Sequence, residues 1–443
     1  MAAANKKIAQ KVNKLLAQGA QSGNDTMEEI AEYGSKAVET LIENLDHSDY
    51  KVRMEAAKSL GEISDESAVD DLVESLSDSS KNVQRCAAEA LTKIGQVAVE
   101  PLLDALIGSD QSARRRAAEA LGNIGDRSVA LELVKRLNDD NIEVQRAAVT
   151  ALGKLENKKA IEPLVKVLET DNVDLAKAAA EALGKIRGDI AIEPLIEALS
   201  SPSVDVQRAA AGSLKSIGGA TVPYLLEKLD SDNDTVRRWT AEILGEIGDD
   251  AARDALIEAL KDDNSRVVRY AAVSLGKIGK PSVVPYLEEL LENRKKDVRC
   301  AAVEGLANVG TYHVVDHLAR MLEEDDDWVT RMTAVRGLGR VGSRTCVDPL
   351  IRGLQDPEWS VRKHAAESLG QVGIKKDAAE ALIETCDDEK PSVRAAAAHA
   401  LGQLQAEEAL EKLGELSSDT EEKVRETAQE AIAQIAQEAP RAS

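Results

Sequence analysis

The chain has 443 residues, of which 43% are apolar and only 2% aromatic, with no phenylalanine. Its core must therefore be Ala, Leu, Ile and Val, which suits helices packed closely through small side chains. A formal net charge of −23 disfavours indiscriminate binding to nucleic acid or anionic membrane, and no stretch approaches the ~18 consecutive apolar residues of a membrane span.

The N-terminus interleaves Lys6, Lys7, Lys11 and Lys14 with Ile8, Val12, Leu15 and Leu16 at helical spacing. It lacks the unbroken apolar run of a secretory signal. Residues 1–33 are expected to be degenerate capping helices, one over Ile8–Ala17 and a short one over Thr26–Tyr33. Gln18–Asp25 reads as the loop between them.

From residue 34 onward one pattern recurs: Val, Arg, two variable residues, Ala-Ala, two variable residues, Leu-Gly, then Ile or Val and Gly. Val52-Arg53 to Leu60-Gly61 and Val361-Arg362 to Leu369-Gly370 are two copies. The aligned Leu (Ile in the last copy) stands at 60, 91, 121, 152, 183, 214, 244, 275, 306, 338, 369, 401 and 432, at intervals of 30 to 32 residues. A fixed period of this size is the signature of a repeat architecture.

Each copy predicts two helices, A and B. Helix B carries apolar residues at offsets 0, 4, 8 and 11 from its Val, which is one helical face. Most copies end at Gly, as at Gly95, Gly125 and Gly248, where the chain leaves the helix in a left-handed conformation. Helix A, such as Val99–Leu106, carries Pro in its opening turn at 101, 163, 194, 223, 285 and 349, where a missing N–H costs nothing. The A–B link is rich in Asp, Asn and Ser, side chains that cap a following helix. Gly recurs inside helix B, for example at 61, 122, 153 and 276. It costs about 1 kcal/mol against Ala in an isolated helix, so its recurrence implies close packing between neighbours. One pair cannot bury its own faces, and the stack is the folding unit. The last B helix, Glu421–Ala436, is more charged than the rest and suits a polar cap. Residues 437–443 are expected to be a disordered tail.

The Pro in helix A, the Asp-rich turn and the Val-Arg-x-x-Ala-Ala-x-x-Leu-Gly helix B resemble HEAT repeats. The likeness is greatest to the short bacterial and archaeal type named after phycobilisome lyases. The resemblance implies an all-α fold, a right-handed α-solenoid of about 13 helical hairpins over residues 34–436. It implies that the B helices line the concave face and that the Arg at offset 1 joins a ladder of Asp residues. The family includes scaffolds, bilin lyases and an iron-dependent hydroxylase. The hydroxylase branch uses His-Glu pairs at the start of helix B; the nearest match here, Lys363-His364-Ala365, lacks the Glu.

Candidate binding residues are breaks from the repeat. Offsets 1 and 2 are often basic, including Arg53, Arg85, Arg114, Arg115, Arg146, Lys177, Arg208, Arg237, Arg238, Arg269, Arg299, Arg331, Arg362 and Arg394. They read either as a stripe for a phosphate backbone or as partners of the Glu that recurs at offset 6. The second reading is preferred. Arg114, Arg115 and Arg116, with Arg146, form an alternative basic patch for nucleic acid or ribonucleoprotein. At offset 3, usually small, stand Trp239, Tyr270 and His364. Cys300 and Met332 stand at offset 2 in the repeats between. Together they make a candidate protein-binding patch on repeats 7–11. Trp328 and Trp359, with Tyr50 at the same register, fall in the A–B turns and form a candidate adhesive edge.

His313 and His317 are at metal-ligand spacing but lack a third ligand, and no Gly-rich phosphate loop or nucleophile elbow occurs. The four cysteines, Cys86, Cys300, Cys346 and Cys386, form no C-x-x-C and read as buried thiols of a reduced cytoplasmic protein. No catalytic, metal or cofactor site is expected. The sequence reads as a non-catalytic scaffold or adaptor for a protein partner, itself monomeric or part of a larger complex and not membrane-bound. A lyase or chaperone acting on a cofactor-bearing protein is a further alternative.

Overall fold

The computed structural model describes residues 2–22 and 27–438, and the secondary structure among them is helical throughout. Contacts divide the chain into two compact units, Met1–Thr221 and Val222–Ser443. Each is a stack of A–B pairs in chain order, so the fold is an all-α solenoid.

The first unit opens with two helices, Ala2–Ser22 and Met27–Ala31. The first is longer at both ends than the expected Ile8–Ala17. The buried stripe of Val12, Leu16 and Ala20 continues at i, i+4 and i+8, and that face carries the helix through most of the expected loop. Residues 23–25, the rest of that loop, and Thr26, expected to open the second helix, lie outside the described residues, as does 439–443 of the expected tail. Repeats 1–6 follow, with B helices at Tyr50–Ile63, Lys81–Ile94, Gln111–Ile124, Ile142–Leu155, Val173–Ile186 and Val204–Ile217.

The second unit holds repeats 7–13. Its B helices are Asp234–Ile247, Ser265–Ile278, Lys296–Val309, Trp328–Val341, Trp359–Val372, Pro391–Gln403 and Glu422–Glu438. Most A helices are short and enter through a 3-10 turn, such as Pro281–Val283 before Val284–Glu289.

The local signals act as the chemistry requires. The Asp49 carboxylate accepts from the Lys51 amide at 2.9 Å, capping the first B helix. Gly125, Gly248 and Gly279 leave their helices at positive φ. Four copies do this without Gly, at Ser64, Glu156, Arg187 and Gln405.

Close approach explains the internal glycines. A Cβ built on Gly122 would stand 2.6 Å from the Cβ of Ala151 in the next B helix. One on Gly276 would stand 2.6 Å from the Cα of Gly305. Ser replaces Ala at the facing position in some repeats. There its hydroxyl donates back across the helix pair, from Ser274 Oγ to the Ala241 carbonyl at 2.8 Å.

Candidate partner-binding face

The offset-1 arginines are structural. Arg53, Arg114, Arg237, Arg299, Arg331, Arg362 and Arg394 each grip an Asp in the next repeat's A–B turn: Asp78, Asp139, Asp262, Asp325, Asp356, Asp388 and Asp419. Arg331 shows the geometry. Its Nε donates to Asp356 Oδ2 at 2.7 Å and its Nη2 to Asp356 Oδ1 at 3.0 Å. Its Nη1 donates to the Asp325 carbonyl of its own turn at 3.0 Å. Each Asp also accepts from a backbone amide two residues on, as Asp356 does from Glu358 at 2.8 Å. From Arg299 to Asp419 the rungs are unbroken. The fork of the guanidinium matches two carboxylate oxygens, so each rung is bidentate and charge-assisted. The Arg394 hydrogen bond holds the Asp419 carboxyl below its usual range.

This geometry alters the candidate basic patch. Arg114 is only 7% exposed, locked onto Asp139 and Asp140, so it cannot meet a phosphate. Arg115 and Arg116 both reach Glu119, at 3.4 and 2.7 Å, and Arg146 pairs with Glu143. Arg114 thus points to another repeat, and Arg115 and Arg116 share one carboxylate. Some offset-2 cations pair one turn ahead, as Arg85 with Glu89 at 2.6 Å and Lys363 with Glu367 at 3.5 Å, while Arg146 and Arg208 pair one turn back.

The proposed patch on repeats 7–11 resolves into two adjoining recesses. The first, about 360 Å³, lies between the B helices of repeats 8 and 9 and includes Tyr270, Val273, Cys300, Ala301 and Val329. Arg269, Lys277 and Glu304 stand among the polar groups around it. The second, about 570 Å³, is polar and lined by Thr333, Arg336, Arg340, His364 and Gln371, with Glu304 and Glu367. Glu304 belongs to both.

Tyr270, Cys300 and His364 thus line recesses, whereas Trp239 and Met332 line neither. Trp239 is 9% exposed. Its ring lies under the Arg238 guanidinium at 4.3 Å, which also reaches the Tyr270 ring at 5.4 Å. Trp239 is therefore a packing residue that supports Arg238 and not an exposed anchor. Met332 is half-buried and its sulfur accepts from Ser360 Oγ at 3.7 Å. The His364 Nδ1 sits 2.7 Å from the Ser360 carbonyl. A carbonyl only accepts, so this nitrogen carries the proton and Nε2 faces the recess side toward Glu367, at 4.0 Å.

Two lining residues were overlooked in the sequence, although it marks them. Val273 and Arg336 occupy offset 6, where Glu stands in seven other copies. One makes its recess apolar and the other makes its recess cationic.

Trp328 and Trp359 are the first residues of their B helices and not turn residues. The capping side chain stands directly before Trp328: Asp327 accepts from the Thr330 amide at 3.3 Å. Both tryptophans are exposed, at 43% and 40%. Asp327 and Val329, which flank Trp328, line the apolar recess, and Lys296 closes on Asp327 at 3.1 Å.

Burial pushes the Cys300 thiol up, against the Thr333 hydrogen bond, and pushes Cys386 up to about 12. A thiol that stays protonated is a poor nucleophile. His317 lies 3.6 Å from Glu288, while His313 stacks on Tyr312. Among the described residues no group of three or more His, Cys, Asp or Glu is placed to hold a metal ion, and no helix is long and apolar enough to cross a membrane.

The family described as HEAT repeats matches residues 38–122, 99–184, 192–276, 222–307, 270–335, 315–389 and 347–433. The chain belongs to the HEAT-repeat proteins. The PBS lyase HEAT-like repeat matches residues 175–201 as well. Among solved structures, this HEAT-repeat chain is similar to Kap121p, with a TM-score of 0.65 at 12% identity, covering 98% of this chain and 57% of that one. It is similar to Kap95p from a study of its binding to RanGDP, at 0.61 and 17%, covering 92% and 67%. Importin beta follows at 0.55 and 13%, covering 98% and 74%. At these identities the likeness concerns the HEAT solenoid fold alone. No curated protein sequence matches the chain.

Proposed function

We propose that this HEAT-repeat protein is a non-catalytic scaffold or adaptor that grips a protein partner with the B-helix face of repeats 8–11. The apolar recess carries the reading. Tyr270, Val273 and Val329 line a concavity of about 360 Å³, large enough for one bulky side chain, with an exposed Trp328 at its margin. Aromatic anchors in or beside a pocket, ringed by polar groups, are the usual core of a protein interface. The solved relatives agree in kind: one is a Kap95–Nup1 complex and another is Kap121p bound to Ste12p. The nucleic-acid alternative draws less support, because the ladder consumes the offset-1 arginines and Arg114 is buried.

Affinity purification from native cells tests the proposal. Wild type is compared with Tyr270→Ala, with Trp328→Ala, and with Tyr224→Ala on an A helix as control. Loss of the same proteins from the first two but not the control is the expected result. Equal recovery from all four sinks the assignment to this face.

A further inference from the structure

The two recesses differ in chemistry but share a wall. The apolar one lies over repeats 8 and 9; the cationic one lies over repeats 10 and 11. Glu304 of repeat 9 stands between them. Neighbouring packed helices are about 10 Å apart, and an extended chain rises about 3.3 Å per residue. The recesses are centred two repeats apart, about 20 Å, so a segment that fills the first with one side chain reaches the second about six residues later.

The second recess selects by charge. Arg336 is exposed and has no ion-pair or hydrogen-bond partner among the described residues, and Arg340 donates only to Asn308 Oδ1, at 2.7 Å. The Gln371 side-chain amide adds a further donor. Of the two carboxylates present, Glu367 already has Lys363 at 3.5 Å. Two guanidinium groups thus face one uncommitted acid, Glu304. This occurs on a chain whose net charge is −23. An acidic segment is repelled over most of such a surface and attracted here, which raises specificity as well as affinity.

Resting on the proposed scaffold role of this face, we infer that the partner docks an extended acidic peptide segment. It places a bulky apolar side chain beside Tyr270 and Val273. It places a carboxylate, about six residues away, on Arg336 and Arg340. The side-chain requirement comes from two substitutions at one register position. Val273 and Arg336 stand where the chain's own repeat has Glu, and each removes a charge that would oppose this ligand.

The test uses the full chain and labelled ten-residue peptides of Gly and Ser carrying one Leu or Phe and a Glu-Glu pair two to six positions away. Matched peptides carry Lys-Lys or Gln-Gln instead. Binding is read by fluorescence anisotropy at low and moderate salt. The acidic peptides should bind best at a spacing of five or six, and more weakly as salt rises. Arg336→Glu with Arg340→Gln should weaken them at least tenfold and abolish their advantage over the Lys peptides. Val273→Glu should weaken every peptide, the acidic ones most. These replacements are residues that other repeats carry at the same offsets, and circular dichroism confirms folding. Equal binding of Glu and Lys peptides, lost only in Val273→Glu, overturns the acidic-segment inference and leaves the scaffold reading standing. Absence of binding by every peptide also overturns the inference; the affinity purification then decides the scaffold reading separately.

Discussion

Replacing Gly122 by Ala separates helix propensity from packing, because the two predict opposite signs. In an isolated helix the change gains about 1 kcal/mol. In the structure the new Cβ would lie 2.6 Å from Ala151 Cβ and 2.7 Å from Ala151 Cα. Both belong to the buried seam between repeats 3 and 4, and one is backbone, so no flexible side chain can swing away. Relief requires the two B helices to part by most of an ångström. Overpacking of this kind costs typically about 1–3 kcal/mol, leaving a net loss of up to about 2 kcal/mol once propensity is credited.

Gly212 is the control. It lies in the B helix of repeat 6, is exposed, and a Cβ there meets nothing within 4 Å. Gly212→Ala should stabilise by about 0.5–1 kcal/mol. Stacked repeats need not unfold in one step, so amide hydrogen exchange over Gln111–Ile124 and Ile142–Leu155 is the more direct assay, with urea melts beside it. Gly122→Ala should speed exchange in both helices. Slower exchange in Gly122→Ala, or destabilisation by Gly212→Ala, would refute the argument that close approach selects these glycines.

Three further outcomes follow from the ladder and the core. Arg331→Ala leaves Asp356 buried without its bidentate partner and should cost about 3 kcal/mol; Arg331→Lys, which keeps charge but not the fork, should recover only part of it in urea melts. The Asp419 carboxyl is held below its usual range by Arg394, so its contribution is complete above the unfolded pKa near 4 and is lost as pH falls through the lower folded value. The urea midpoint should therefore drop below about pH 4, with a shallower acid limb in Asp419→Asn. Thr240 stands at the inner Ala position of the repeat, fully buried, its hydroxyl without a hydrogen-bond partner. Thr240→Val, measured by thermal melts, should raise stability by about 1 kcal/mol; a loss would mean the hydroxyl is satisfied after all.

Much of the fold was legible in the residues. A 31-residue period, Gly at helix ends, Pro at helix starts and an apolar face at offsets 0, 4, 8 and 11 are local features, and local sterics decide them. The register placed thirteen B helices to within about two residues. It missed the true helix start, so Trp328 and Trp359 were taken for turn residues. The cap that begins a helix is a hydrogen bond, and several residues of an Asp-rich turn can make it.

The site was only half legible. Tyr270, Cys300 and His364 stood out as departures at offsets 2 and 3, and they do line recesses. Trp239 stood out equally and is buried. Nothing in its spacing distinguishes a ring that covers a neighbour from one that faces solvent. Val273 and Arg336 were passed over because offset 6 was read only as a partner for offset 2 on the same helix. Recesses form between helices about 31 residues apart in sequence, from side chains of two or three repeats at once.

The arginines make the same point. The sequence by itself determined that a basic residue recurs at offset 1, because the repeat conserves its own turn geometry. Only tertiary structure decided that Arg114 is consumed by Asp139 while Arg336 is left open. Which repeat supplies the carboxylate is a matter of distance through space, and a guanidinium is structural or available according to whether one stands within 3 Å of it.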